Sequence, residues 1–151
     1  MKVLNEMKLS FPSRSANEAF ARTALSAFTA AMDPTIEELA DIKTAVSEAV
    51  TNAIIHGYEN HVNKVQIYAG IEGRTLHLEI SDRGVGIPDV KKAMEPLYTT
   101  RPELERSGMG FSFMEAFMDE VQVESEPGKG TIVRMKKIIG RGRELWTTQS
   151  L

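Results

Sequence analysis

Two hairpins constrain this chain more than any other feature. Val65, Ile67, Ala69 and Ile71 alternate along one predicted strand, Leu76, Leu78 and Ile80 along the next, and Glu72-Gly73-Arg74 between them is turn material. Nearer the C-terminus, Val121 and Val123 begin a strand, Glu126-Pro127-Gly128-Lys129-Gly130 reads as a turn, and Thr131 to Lys137 returns with Ile132, Val133 and Met135 apolar. Hairpin partners run antiparallel, so a wholly parallel sheet is excluded. Met7, Leu9 and Phe11 alternate in a further strand that Pro12 ends. The predicted order is strand, two helices, hairpin, short helix (Val90 to Glu95), long loop, helix (Phe111 to Met118), hairpin. The simplest solution is an α+β, two-layer sandwich: one mixed, mostly antiparallel sheet with its helices on one face.

The length of 151 residues suits one domain with a proper core. That domain is expected over residues 1–139. Residues 140–151, basic and punctuated by glycine, read as a frayed tail in which Trp146 has no clear role. A net charge of −3 gives no basis for bulk binding to nucleic acid or phospholipid. Without cysteine there is no disulfide and no thiolate chemistry. No apolar run is long enough to span a bilayer and the N-terminus lacks a signal-peptide pattern, so the expected location is the cytoplasm.

The first helix, Ala16 to Met32, is expected to start at a capping box of Ser15 and Glu18. It is rich in alanine, with Phe20 and Phe28 as its large apolar residues. Arg22 lies on its surface, either as a solvated charge or as a contact for a partner. The second helix has Asp33 as a suitable N-cap and Pro34 at a suitable first position, with Thr35 and Glu38 as a capping box slightly later. Ile36, Leu39, Ile42, Val46, Val50 and Ala53 form its apolar stripe, and Gly57 is the expected C-terminal stop. Glu48, Asn52 and His56 stand four residues apart, on a face away from that stripe and bordered by Ala45, Ala49 and Ala53. A carboxylate and an amide beside small residues can form one wall of a site. In isolation Glu-x-x-x-Asn is more often a solvated face, and a histidine such as His56 more often structural.

Two glycine patterns change that balance. Asp82-Arg83-Gly84-Val85-Gly86 follows a strand directly, and its glycines let backbone approach a ligand closely. Read alone, it is as readily a tight turn. It lacks the third glycine of a dinucleotide fingerprint, and its Asp precedes the glycines rather than following some twenty residues on. Gly108-Met109-Gly110 precedes a helix, where free N–H groups and the helix dipole suit a phosphate. Between the two patterns, Pro96 to Ser107 reads as a mobile loop of lid length.

Glu48-x-x-x-Asn52, Asp82-x-Gly84-x-Gly86 and Gly108-x-Gly110, in that order and with Gly130-Thr131 after them, resemble the ATP-binding domain shared by gyrase, the ninety-kilodalton heat-shock chaperone, histidine kinases and MutL. The stretches Ser47 to Gly57 and Pro102 to Phe111 further resemble the free-standing serine kinases that act as anti-sigma factors, closely the anti-sigma-F group of spore-forming bacteria and more distantly the general-stress anti-sigma-B kinases. The resemblance implies ATP and magnesium as cofactors. It implies that Asp82 accepts from the adenine amino group with support from Thr131, and that Gly84 and Gly86 pass close to the nucleotide. Gly108, Met109 and Gly110 would hold phosphates, with Thr99 also at the nucleotide. Asn52 would ligate magnesium and Glu48 would act as general base. Arg106 is either a neutraliser of the terminal phosphate or a solvated loop charge. The implied partners are a sigma factor, held in the ATP state with Arg22 as a candidate contact, and an anti-anti-sigma factor phosphorylated on serine; a homodimer is implied as well. An ATP-gated binding module without turnover and a detached histidine-kinase catalytic domain are the alternatives, and Glu48 argues for a kinase.

Overall fold

The computed structural model describes residues 3–59, 61–95 and 110–140. Among these residues five strands, β1 (Asn5–Pro12), β2 (Lys64–Glu72), β3 (Thr75–Asp82), β4 (Glu120–Glu126) and β5 (Gly130–Ile138), form one sheet in the order β1-β2-β3-β5-β4. All four neighbouring pairs are antiparallel. Both expected hairpins form. The last strand inserts between β3 and β4, so the C-terminal hairpin docks on the central one through β5.

Among the described residues four α-helices accompany the sheet: α1 (Ala16–Thr29), α2 (Ile36–Asn52), α3 (Val90–Ala93) and α4 (Gly110–Phe117). α2 packs against both α1 and α4. Along β3, Leu76, Leu78, Ile80 and Asp82 are buried while the residues between them are not, so one face of the sheet carries the core. On that face the rows Ala69–Leu78–Met135–Val121 and Ile67–Ile80–Val133–Val123 run across the strands. They meet Ile42, Val46 and Val50 of α2 and Leu25 of α1 in one core cluster. The opposite face is polar. There Arg134 pairs with Glu79 and Glu124, each at 2.6 Å, an exposed arrangement worth little to stability.

Several helix boundaries differ from the sequence reading. Thr35, not Asp33, caps α2: its hydroxyl accepts from the Glu38 N–H at 3.0 Å and the Glu38 carboxylate accepts from the Thr35 N–H at 2.8 Å. Asp33 instead takes a left-handed conformation with φ of 52°, leaving Ile36 to begin the helix with 91% of its surface exposed. The reciprocal cap outcompetes the single one because it satisfies two otherwise unpaired N–H groups. Ser15 precedes α1 without a side-chain cap; Glu18 turns instead to Arg22 at 3.5 Å. After Thr29, α1 tightens into a short 3₁₀ turn, Ala30–Met32. The expected lid, Pro96 to Ser107, and the tail from residue 141 lie outside the described residues.

Candidate active site

α2 does not stop at a left-handed glycine. It widens into a π turn, Ala53–Gly57, with the Tyr58 N–H bonded to the Ala53 carbonyl at 3.0 Å. Such wide turns are uncommon and cluster at functional sites. The helical run ends at Gly57 as expected, and glycine is needed there for a further reason: a Cβ would stand 2.8 Å from the Asp82 carboxylate. Gly84 is tighter still, with a Cβ placed 1.9 Å from the Gly57 carbonyl oxygen. That carbonyl accepts from the Val85 N–H at 2.8 Å. The end of α2 and the loop after β3 are thus in backbone contact, which only glycine permits.

Beside this contact a cavity of about 560 Å³ opens between α2 and the sheet. α2 and its π turn contribute Ala49, Asn52, Ala53, His56 and Gly57; the sheet contributes Ile80, Asp82, Thr131 and Val133. The loop Val85–Pro88, α3 and the start of α4, with Gly110 and Phe111, complete it. Alanines at 49 and 53 keep the helix wall low. Gly86 holds its loop against the C-terminal hairpin at φ of 78°, where a Cβ would meet the Glu126 carbonyl oxygen at 2.3 Å. Gly128 returns a bond from its N–H to the Val85 carbonyl at 2.8 Å.

Asp82 is the buried charge of the cavity, 9% exposed. Burial pushes its carboxyl pKa above the usual 3.8, while hydrogen bonds from the backbone N–H groups of Gly84 and Thr131 pull the other way. The Gly84 bond is 2.8 Å long. Asn52 presents the second unusual polar group: its amide nitrogen is buried without a hydrogen-bond partner. A helix-borne amide with an unmet bond, next to a cavity holding a carboxylate, suits a polar ligand and is costly without one.

The structure brings Asn52, Asp82, Gly86, Gly110 and Thr131 to one cavity, with Gly84 packed behind Asp82. Glu48 sits one turn before Asn52, half-buried, outside the cavity wall formed by the described residues. Arg22 stands apart on α1, paired with Glu18. Thr99, Arg106, Gly108 and Met109 lie outside the described residues.

Two positioning residues escaped the sequence reading. Tyr58 is buried, donates its hydroxyl to the Lys64 carbonyl and accepts from the Arg83 N–H at 2.7 Å. It ties the end of the π turn to the starts of β2 and of the Asp82 loop. Ser125 lies opposite Thr131, its hydroxyl 2.8 Å from the Thr131 hydroxyl and 2.7 Å from the Ile87 nitrogen. Its signal was present: Val121 and Val123 set the inward phase of β4, and Ser125 is the polar residue in that phase.

A two-layer sandwich with a cavity between its central helix and the end of an antiparallel sheet is the outline of an ATPase domain, and residues 11–137 match the family described as the histidine kinase-like ATPase domain. An anti-sigma F factor from Thermoanaerobacter sp. is 61% identical over 140 residues, covering 93% of this chain and 98% of that protein. One from Geobacillus stearothermophilus is 62% identical over 134 residues, covering 88% and 92%. The chain belongs to the histidine kinase-like ATPase family and, within it, to the anti-sigma F factors. The fold likewise matches the crystal structure of the RsbU and RsbW domains of a Mycobacterium tuberculosis protein, with a TM-score of 0.67, 21% identity, and coverage of 89% of this chain and 32% of that one. Among the described residues no helix is long and apolar enough to cross a membrane.

Proposed function

We propose that this chain is an ATP-dependent protein serine kinase that also holds a sigma factor, and that its phosphate acceptor is a serine on an anti-anti-sigma factor. The observation that carries the reading is the pairing, in one cavity, of a buried carboxylate on the sheet with an unsatisfied amide on the helix. In this reading Asp82 accepts from the adenine amino group and disfavours guanine, whose oxo group there is also an acceptor. Thr131 supports the same edge. Gly84 and Gly86 allow the close approach, and Gly108, Met109 and Gly110 hold phosphates through backbone N–H groups, with Thr99 as a further nucleotide contact. Asn52 offers magnesium an amide oxygen; the ion would neutralise phosphate charge and, as it prefers, keep several waters. Glu48 takes the proton of the incoming serine hydroxyl, and its main contribution is to orient that nucleophile. Arg106 is the candidate for neutralising the terminal phosphate. Arg22, half-buried on α1, is a contact for the sigma factor, and the working form is a cytoplasmic homodimer.

Incubation with radiolabelled ATP, magnesium and a purified anti-anti-sigma protein tests the reading. An acid-stable label on the partner is expected. An acid-labile label would indicate histidine as acceptor instead, and nucleotide binding without any transfer would leave an ATP-gated binding module.

A further inference from the structure

On the core face, the last cross-strand row of the sheet differs from those before it. Rows of aliphatic and methionine side chains give way to Asp82–Thr131–Ser125, spanning β3, β5 and β4. Asp82 and Thr131 line the 560 Å³ cavity; Ser125 does not. Its hydroxyl oxygen has three neighbours: the Ile87 nitrogen at 2.7 Å, the Gly130 carbonyl oxygen at 3.0 Å and the Thr131 hydroxyl at 2.8 Å.

A serine hydroxyl has one proton to give. The Ile87 N–H only donates and the Gly130 carbonyl only accepts, so all three contacts are hydrogen bonds at once only if Ser125 accepts from the first and gives its proton to the second. The Thr131 contact is then a hydrogen bond only if Thr131 is its donor. That turns the Thr131 proton away from the cavity and leaves lone pairs facing in. Asp82, with both oxygens deprotonated, also offers only acceptors. We infer that Ser125, without touching the nucleotide, sets the base preference of the cavity by holding the Thr131 hydroxyl proton away from it. The inference rests on the reading of Asp82 and Thr131 as the edge that meets the base. At the 6-position of the base, two acceptors suit the amino group of adenine, which has two protons to give. They repel the oxo group of guanine, which a freed Thr131 hydroxyl would be able to meet as a donor.

Equilibrium titrations of ATP and GTP against the full chain and three variants test this. Ser125→Ala frees the Thr131 hydroxyl. Ser125→Val does so while excluding water, which the neighbouring cavity of about 670 Å³ lined by Ser125 would admit. Ser125→Thr keeps the donor and the acceptor. The ratio of the two affinities is the readout, because a general loosening of the Ile87 loop weakens both nucleotides alike. The expected result is a parent that prefers ATP, a preference reduced about tenfold in the Ala and Val variants, the equivalent of one hydrogen bond changing sign, and restored in the Thr variant. A ratio unchanged in both the Ala and Val variants overturns the role of Ser125 and leaves the adenine reading standing. A parent with no preference for ATP removes the adenine reading, and this inference with it.

Discussion

Gly57 and Asp82 are packed so closely that the helix end and the strand end share one van der Waals surface: a Cβ on Gly57 would lie 2.8 Å from all three atoms of the carboxylate group. The buried charge therefore has a fixed position before any ligand arrives. Gly57→Ala is expected to destabilise the fold by about 1–3 kcal/mol through overpacking, and to weaken ATP binding by displacing Asp82. Gly84→Ala places its Cβ 1.9 Å from backbone rather than from a side chain, so its cost should be larger. Thermal unfolding of the two variants ranks them, and the reverse order would mean that the loop after β3 yields more easily than the helix end.

Asp82 also makes stability depend on pH. Its carboxyl holds a proton more tightly in the folded chain than at the unfolded value of 3.8, chiefly through burial. In that window the folded state binds more protons than the unfolded state, so stability falls as pH rises from 3.8 through the raised folded value. Above it the loss is complete. Asp82→Asn should lack this component, so the difference between parent and variant in denaturant melts should change through that window and be constant above it. ATP affinity should move oppositely in the parent, falling as acid removes the acceptor.

Tyr58→Phe keeps the ring in its buried place and removes one hydroxyl that serves two backbone groups. Leaving the Arg83 N–H and the Lys64 carbonyl without it should cost about 1–3 kcal/mol in chemical denaturation. Because Arg83 starts the Asp82 loop, ATP affinity should fall too. A variant with parental stability and affinity would show that water replaces the hydroxyl without penalty.

Glu48 and Asn52 should separate by what they impair. Glu48→Ala is expected to leave ATP binding largely intact and to slow phosphoryl transfer by about 10²–10⁴-fold. Asn52→Ala should raise the magnesium needed for half-maximal transfer while relieving the buried, unpaired amide, so its fold stability should not drop. Equal transfer rates for the Glu48 variant and parent at saturating ATP would take Glu48 out of the mechanism. An unchanged magnesium requirement would point to another ligand.

The sequence by itself determined the elements and the candidates. Alternation in Val65–Ile71 and Leu76–Ile80 located a hairpin, because a half-buried strand must repeat every two residues. Spacing of four put Glu48, Asn52 and His56 on one helical face, and the glycines after Asp82 marked a close approach. Those are local properties, readable within a few residues. The strand order was not local. Only the insertion of β5 between β3 and β4 sets Asp82 opposite Thr131, more than forty positions away, and so joins it to the Thr131–Ser125 pair of the local hairpin. Likewise Gly57 was legible as a helix stop because glycine commonly is one, and the helical run does end there, but the Asp82 carboxylate across the gap that also requires glycine was not legible. Asp33 looked like the cap until Thr35 and Glu38 closed a reciprocal pair. Periodicity records which side of an element is buried; what it is buried against is decided by chain crossings and backbone contacts that no sequence window contains.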